Sequence, residues 1–259
     1  MRKILLLIII VGLFWNCDNT KNELQLEILT DEVYAYYLDS EFSNEERNSL
    51  TYDVCEKYGY SQIKFKISNP TKSPIVFFPI CIEKEEMGCS PIFSNLDKFN
   101  NIGLFNLIIT DNQNNFIEPY FKLVNRIATN EIDYIIIRDS LNIEYYNKIG
   151  YKKKTEIWKL INSAFTNKAI VIHPNETIFF ESYLKIATNL DGCVHDEYYN
   201  LNKSKSYKIK LKFKSDIDNL NNWLTEYQIK NVEQNNYDIF QGELYSENEI
   251  PIVFKKIEE

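Results

Sequence analysis

The chain has 259 residues, of which 44% are hydrophobic and 14% aromatic, and this composition excludes a disordered protein. Its formal net charge is −8 with no concentrated basic patch, which argues against a nucleic-acid partner because phosphate affinity comes from clustered Lys and Arg. We therefore expect one large or two small globular domains that bind no nucleic acid.

The first predicted element is an apolar run from Ile4 to Trp15, which follows Arg2 and Lys3 and stops at a polar sequence. A helix that spans a bilayer needs about 20 apolar residues, so a run of 12 is too short. A short basic start, an apolar run of this length and a polar continuation are the layout of a secretory signal. Loss of Arg2 and Lys3 with that signal would change the formal charge from −8 to −10.

The end of this run reads Phe14-Trp15-Asn16-Cys17 and resembles the cleavage site of bacterial lipoprotein precursors, in which a peptidase cuts before a cysteine that carries lipid. The usual motif places Leu, a small residue and Gly or Ala before the cysteine, and looser motifs with Asn are similar to those of Bacteroidota lipoproteins. The resemblance implies a signal peptide at 1–16, lipid on Cys17, a polar tether at 17–23 and a cell-envelope protein held to a membrane. Plain secretion with a free Cys17 thiol and an uncleaved short anchor are the alternatives.

Four further cysteines are present, and an even number in an exported chain indicates two disulfides with three alternative connectivities. The short spacing between Cys81 and Cys89 suits a hairpin-like excursion, so we predict this pair. By elimination, the second predicted pair is Cys55 with Cys193.

Alternating apolar and polar residues predict short strands along most of the chain. The first two have the apolar phases Leu24, Leu26, Ile28 and then Tyr34, Tyr36, Leu38. Strand, turn, strand units follow in YSQIKFKISNPTKSPIVFFP, LFNLIITDNQNNFIEP and AIVIHPNETIFFESYLKI.

Two predicted strand regions lie near the C-terminal end. In SYKIKLKFKSD, the apolar residues Ile209, Leu211 and Phe213 face one way and four lysines face the other. YDIFQGELYSENEIPIVFK predicts two strands around 246–248, and Pro251 limits the last of them to a sheet edge.

Repeated short strands with polar turns predict a mainly β fold, and a β-sandwich is the favoured architecture. The order of the I.FKISNP strand, the IHPNET turn, SYKIKLKF and F.GELYSE resembles immunoglobulin-like domains of bacterial envelope lipoproteins over about residues 60–255. The resemblance implies a single immunoglobulin-like β-sandwich domain at 24–259, and it carries no function with it.

Two predicted helices are expected to cover the sandwich, with an interaction helix as the alternative. The first has the apolar residues Ile157, Leu160, Ile161, Ala164 and Phe165 on one face. The second is capped by Asp216 or Asp218 and buries Leu220, Trp223, Leu224 and Tyr227. Residues 119–168 are expected to be an insertion, with a strand at Ile132–Arg138, and this segment is the first place to search for a binding feature.

Chemistry-bearing motifs are few. His173 lies in a predicted turn, whereas His195 follows Cys193 and precedes Glu197, so a metal site there is the alternative to a disulfide. TDNQNNFIEP has alternating calcium-type ligands from Asp111, but Phe116 replaces the required Gly, which favours a hairpin turn. No Gly-rich phosphate loop, GxSxG elbow or HExxH helix is present. We therefore predict no catalytic residue, no metal ligand and no cofactor.

The sequence favours a non-catalytic, lipid-anchored envelope protein that serves as a binding or accessory module for a protein or glycan partner. Two alternatives remain open. One is an envelope hydrolase whose acidic residues converge only in the fold, and the other is a sandwich-type protease inhibitor with the Cys81 to Cys89 loop as its reactive segment.

Overall fold

The computed structural model describes residues 24–37, 60–78, 105–121, 140–186, 188–190, 197–215 and 220–257. This described part of the chain is mainly β, with 45% strand and 21% helix, as the alternation predicts. No helix in these described ranges is long and apolar enough to cross a membrane.

The described residues form thirteen strands and three helices. The strands are β1 (Gln25–Ile28), β2 (Val33–Tyr37), β3 (Tyr60–Ser68), β4 (Ile75–Phe77), β5 (Phe105–Asp111), β6 (Pro119–Phe121), β7 (Ile170–Ile172), β8 (Thr177–Lys185), β9 (Glu197–Tyr199), β10 (Tyr207–Ser215), β11 (Asp238–Ile239), β12 (Gly242–Tyr245) and β13 (Ile250–Lys256). The helices are α1 (140–148), α2 (Glu156–Lys168) and α3 (Glu226–Gln234), with a short 3₁₀ turn at Leu220–Trp223.

The first sheet contains three antiparallel strands in the order β1-β3-β8. Every second side chain of β3 is buried, and Ile63, Phe65 and Ile67 are completely shielded from solvent. Leu26 and Ile28 of β1 are buried on the same side. Period-two alternation therefore identifies both strands and their inner faces correctly.

The second sheet is built around β10, which pairs along its length with β5 on one side and is shared by β12 and β13 on the other. β13 pairs in parallel with β2, so the edge position predicted from Pro251 is wrong. Pro251 lacks the backbone N–H that a partner strand would bond. It lies opposite Lys208 of β10, and the pairing with β2 begins only at the next residue, Ile252, so the strand tolerates the proline.

β2 is a strand as predicted, but its predicted buried phase is wrong. Val33 and Ala35 are fully buried, whereas Tyr34 and Tyr36 are only partly buried on the outer face. A shift of one residue exchanges the two faces of a strand, and the tyrosines have polar tips that favour the outer one. The Nζ atom of Lys255 lies 3.2 Å from the centroid of the Tyr34 ring.

Two predicted turns, at 69–74 and 173–176, lie against each other. The Asn69 side-chain amide donates hydrogen bonds to the carbonyls of Ser73 and Ile172, each at 2.8 Å, and the Asn175 N–H donates to the Asn69 carbonyl. The strands before and after each turn belong to different sheets, because β3 pairs with β8 while β4 pairs with β7 in a third sheet of order β11-β4-β7. Each turn thus directs the chain from one sheet to another.

Asn248 joins the first strand to the end of the chain. Its side chain accepts a hydrogen bond from the Ile28 N–H and donates one to the Ile28 carbonyl, both at 2.8 Å and across 220 residues of sequence. The Glu247 N–H donates to the Leu26 carbonyl in the same region. The edge of β1 that does not pair with β3 is therefore covered by the turn between β12 and β13.

One core joins the first two sheets. The Phe65 ring lies 5.6 Å from Phe213 of β10, 6.0 Å from Phe105 of β5 and 5.2 Å from Phe180 of β8, measured between centroids. Phe77 of β4 also reaches Phe213, at 5.7 Å. The third sheet therefore contributes one of its faces to the same core.

The other face of the third sheet carries the helices. Val76 and Phe78 are buried there together with Leu224, and Phe78 meets Phe165 of α2 edge to face at 5.0 Å. We use the term helical cap for α1, α2, the 3₁₀ turn and α3. This second core fixes the helical cap to the β-structure and determines which sides of its helices remain exposed.

Candidate functional site

Most residues predicted to carry chemistry lie outside the described residues. These are the predicted lipid-attachment residue, the four disulfide candidates, the second histidine and the predicted strand of the insertion: Cys17, Cys55, Cys81, Cys89, Cys193, His195 and Ile132–Arg138. Lipid attachment and both disulfides therefore stay predictions.

The two turns whose side chains were considered as ligands, those of His173 and Asp111, are present as predicted. His173 is exposed in its turn, where its N–H donates to the Glu176 carboxylate at 2.6 Å. The Asp111 carboxylate accepts hydrogen bonds from the side chain and N–H of Asn115 and from the N–H of Gln113, and these bonds lower the pKa of Asp111. A β-bridge between Thr110 and Phe116 completes this turn. The Asp111 carboxylate therefore stabilises the turn itself.

Acidic and metal-binding side chains do not gather in the described part of the chain. No Asp or Glu whose burial is described is buried, and no three described side chains of His, Cys, Asp or Glu lie close enough together to hold a metal ion. Exposed apolar side chains are the more informative feature of this surface.

Three apolar side chains lie in a row on the exposed side of α1. Leu141 is 61% exposed, Tyr145 57% and Ile149, directly after the helix, 47%. Residues four apart lie on the same face of a helix, so the three form one continuous strip, which we call the α1 ridge. Isolated exposed apolar residues are common on protein surfaces, but an aligned strip is a candidate contact site.

The opposite side of α1 is held firmly by Tyr146. Its hydroxyl donates a 2.7 Å hydrogen bond to the Asn162 side-chain carbonyl, and its ring meets Trp158 edge to face at 5.8 Å. Burial raises the pKa of Tyr146, so the phenol stays protonated and keeps this bond. The Tyr145 ring packs edge to face against the Tyr146 ring, with 5.4 Å between the ring centroids.

Asn162 also connects α2 to the rest of the helical cap. Its side-chain amide donates to the Trp223 carbonyl at 2.8 Å and to the Gln228 side chain at 2.6 Å. Gln228 in turn accepts from the N–H of Thr225 and so completes a capping box at the start of α3. One buried amide therefore joins α1, α2 and α3.

The predicted helical faces need two corrections. Ile157, predicted on the apolar face, is 54% exposed because the buried stripe of α2 is Trp158, Ile161 and Phe165. Tyr227, predicted to be buried, is 79% exposed. The predicted second helix is divided into the 3₁₀ turn and α3, which begins after the N-cap Thr225. This division changes which residues face the protein interior.

The predicted caps of that second helix, Asp216 and Asp218, lie outside the described residues. Sequence reasoning also missed Tyr146 and Asn162, because polar residues within an amphipathic pattern are ordinarily assigned to solvent. The only available signal was the tyrosine-rich segment EYYNKIGY shortly before Trp158.

The helical cap lies in and beside the predicted 119–168 insertion, and within the described residues it offers an exposed apolar strip as its candidate contact surface. Comparison of the chain with protein-family models, with curated proteins and with solved structures gave no significant match.

Proposed function

We propose that this chain is a lipid-anchored cell-envelope protein with an immunoglobulin-like β-sandwich, which acts as a non-catalytic binding module and contacts a protein partner through the α1 ridge. The observation that carries the proposal is the ridge itself, three aligned apolar side chains exposed on a helix that is fixed from its other side.

The strand order supports an immunoglobulin-like sandwich. In such domains strands A, B and E share one sheet while C, F and G share the other. The β1-β3-β8 sheet has the order A-B-E, and β5-β10-β13 has the order C-F-G, with the same succession along the chain. The Phe65 ring contacts join the two sheets across one core.

Tyr207 gives independent support for the same fold. Immunoglobulin-like domains often carry a tyrosine near the start of strand F whose hydroxyl bonds to the backbone a few residues upstream. Tyr207 begins β10, is buried, and accepts a 3.0 Å hydrogen bond through its hydroxyl from the Asn202 N–H.

The chemistry of the α1 ridge favours a protein partner over a glycan. Leu141 and Ile149 offer only aliphatic surface, which gains free energy by entering an apolar groove and cannot hydrogen-bond to sugar hydroxyls. Tyr145 is an exposed aromatic side chain, a residue type that is enriched among the anchors of protein interfaces. The Glu144 and Lys148 ion pair, at 2.7 Å on the same helix, supplies a polar border.

A membrane-bound location is supported by the lipoprotein-like sequence around Cys17. The direct test is mass spectrometry of the membrane fraction, in which we expect a lipid-modified N-terminal Cys17. A Cys17→Ala protein that remains bound to membranes would contradict lipid anchoring.

The binding proposal is tested by co-purification from native membranes. We expect the double variant Leu141→Ser/Tyr145→Ala to retain roughly a thirtieth or less of the wild-type affinity for the recovered partner, because an interface anchor contributes about 2 kcal/mol or more. Tyr227→Ala is the matched control, since it removes an even more exposed tyrosine from the helical cap. Equal affinity of the double variant and the control would refute the α1 ridge as the contact site.

A further inference from the structure

The first strand starts at the end of the first sheet where two turns lie side by side. Gln25 of β1 pairs with Ser68, the last residue of β3, and β8 begins in the same row. The turns 69–74 and 173–176 adjoin this row directly and are bonded to each other. Leu24 is buried in the core, so this is the point where the preceding segment joins the domain. We call this end of the domain the tethered end.

A short connection joins the helical cap to the tethered end. α2 ends at Lys168 and the second turn begins at His173, so these two points are at most about 18 Å apart. Between them lies β7, whose last residue, Ile172, accepts a 2.8 Å hydrogen bond from the Asn69 side chain of the first turn. One end of α2 is thus fixed beside both turns.

The α1 ridge is connected to the tethered end through α2. The Tyr146 hydroxyl on the inner side of α1 donates to Asn162, which lies about 9 Å of helix before Lys168. Phe165, between these two positions, meets Phe78 at 5.0 Å and seats α2 on the third sheet. The α1 ridge is therefore carried by helices that are attached to the third sheet and to the turns of the tethered end.

The hairpin after β5 lies at the opposite end of the second sheet. The register pair Phe105 and Phe213 lies beside the third sheet, where Phe213 meets Phe77 at 5.7 Å. From there β5 and β10 run in register to Asp111, about 20 Å away. The hairpin that follows carries Phe116, which is 53% exposed. Phe116 therefore marks the end of the domain away from the tether, which we call the distal end.

We propose that the partner of the α1 ridge is a protein held in the same membrane as this chain, and this inference rests on the proposed anchoring at Cys17 and on the proposed contact through the ridge. The tether at 17–23 spans at most about 25 Å when fully extended, so it keeps the tethered end, and with it the helical cap, close to the bilayer. A protein of the same bilayer shares this thin layer, and such confinement raises the effective concentration of two sites without any new contact. A soluble partner lacks this gain and has to enter the space between the helical cap and the bilayer.

The first part of the test is photo-crosslinking of the full-length protein in native membranes, with p-benzoylphenylalanine in place of Tyr145. The same photoreactive residue in place of Phe116 is the matched control, because both are exposed aromatic side chains and Phe116 lies at the distal end. We expect an adduct with a transmembrane or lipid-anchored protein from position 145 and no adduct with that protein from position 116.

Spacers inserted between Asn22 and Glu23 then change the distance of the domain from the membrane. A Pro-rich spacer of about 25 residues is semi-rigid and about 78 Å long, whereas a Gly/Ser spacer of the same length has a mean end-to-end distance of about 28 Å and lets the domain return to the bilayer. We expect the Pro-rich spacer to lower the adduct yield from position 145 at least about tenfold, and the Gly/Ser spacer to lower it less than about threefold.

Each contrary outcome has a separate meaning. An adduct yield that the Pro-rich spacer leaves unchanged, or an equal loss with both spacers, would overturn the shared membrane and leave the α1 ridge as a contact site. Membrane-bound protein that gives no adduct from position 145 would refute the ridge contact, and with it this inference. A wild-type chain that is absent from the membrane fraction would refute the anchor, whatever position 145 contacts.

Discussion

The β-core and the helical cap both contain apolar packing, and the cap also depends on a buried side-chain amide that joins its helices. In the core, Phe65 packs against three other phenylalanine rings by contacts that need matching shape but no matched donor and acceptor. In the cap, Asn162 takes part in three hydrogen bonds with partners from different helical segments. The comparison indicates that hydrophobic pattern suffices for the β-core, whereas the helical cap adds to its apolar core a few specific polar atoms that connect its helices to one another.

The largest effect should come from emptying the centre of the β-core. We expect Phe65→Ala to lower the free energy of unfolding by about 3–5 kcal/mol, because it removes buried apolar surface and leaves a cavity. Urea unfolding measures this change. Phe179→Ala on the neighbouring strand β8 removes the same side chain from a position that is 68% exposed, and it should cost less than about 0.5 kcal/mol. Similar losses in the two variants would contradict the assignment of Phe65 to the core.

A smaller and more local effect is expected in the helical cap. Asn162→Ala should cost about 2–3 kcal/mol, since it leaves the buried Tyr146 hydroxyl and the Trp223 carbonyl without their observed partner. Hydrogen exchange should accelerate in α1, α2 and α3 while β3 and β8 keep their protection.

The control for the helical cap is Asn167→Ala, which removes the same side chain from an exposed position of α2 and should leave exchange unchanged. If Asn162→Ala accelerated exchange equally in β3 and β8, the cap and the β-core would have to be treated as one cooperative unit.

Two tyrosine hydroxyls allow a finer comparison of the regions. Tyr207→Phe and Tyr146→Phe each keep the ring and remove one hydroxyl, and each should cost about 1–1.5 kcal/mol. The Tyr207 change should appear in global unfolding because Tyr207 lies in the main core, whereas the Tyr146 change should appear first as faster exchange in α1. Reversed patterns in hydrogen exchange would show that the hydroxyl at the start of β10 is the more local one.

The smallest expected effect belongs to the surface pair Glu243 and Lys212. The pKa of Glu243 is lowered by the hydrogen bond from Lys212, so its contribution is present above the ordinary glutamate value of about 4.3 and is lost as the pH falls through the lowered value. Because the pair is partly exposed, the contribution should be below about 0.5 kcal/mol. Glu243→Gln should therefore reduce stability at pH 7 but not at pH 2, and Glu247→Gln is the control. An equal loss at both pH values would exclude the ion pair as the cause.

The sequence predicts the β-core well because its apolar and polar residues alternate with the same period as burial in a strand, as Ile63, Phe65 and Ile67 demonstrate. It assigns the wrong buried face to β2 because tyrosine suits either face of a strand. Which face it occupies depends on neighbours such as Lys255, which is more than 200 residues away in the sequence. The prediction from Pro251 is wrong for a similar reason. Proline lacks one backbone N–H, but β2 begins to pair with β13 only at Ile252, so Pro251 does not prevent this pairing.

The candidate site was predictable only as a region. The 119–168 segment, predicted as the first place to search, contains the α1 ridge, yet neither the role of Asn162 nor the exposure of Ile157 follows from helical periodicity. Their positions depend on the burial of Trp158, whose ring packs against Tyr146 and whose indole N–H donates to the Asn222 carbonyl at 2.9 Å. The α1 ridge follows from the same choice, because the side that carries Tyr146 is the one that turns inward.

The bond between Asn248 and Ile28 has a consequence for the order of synthesis. Its two ends are 220 residues apart, and β2 likewise finds its parallel partner only in β13, the last described strand. During synthesis, neither contact is completed until the last described strand has left the ribosome. Contacts this distant in sequence also slow folding, so we expect the pairing of β2 with β13 to form later than the β1-β3-β8 sheet.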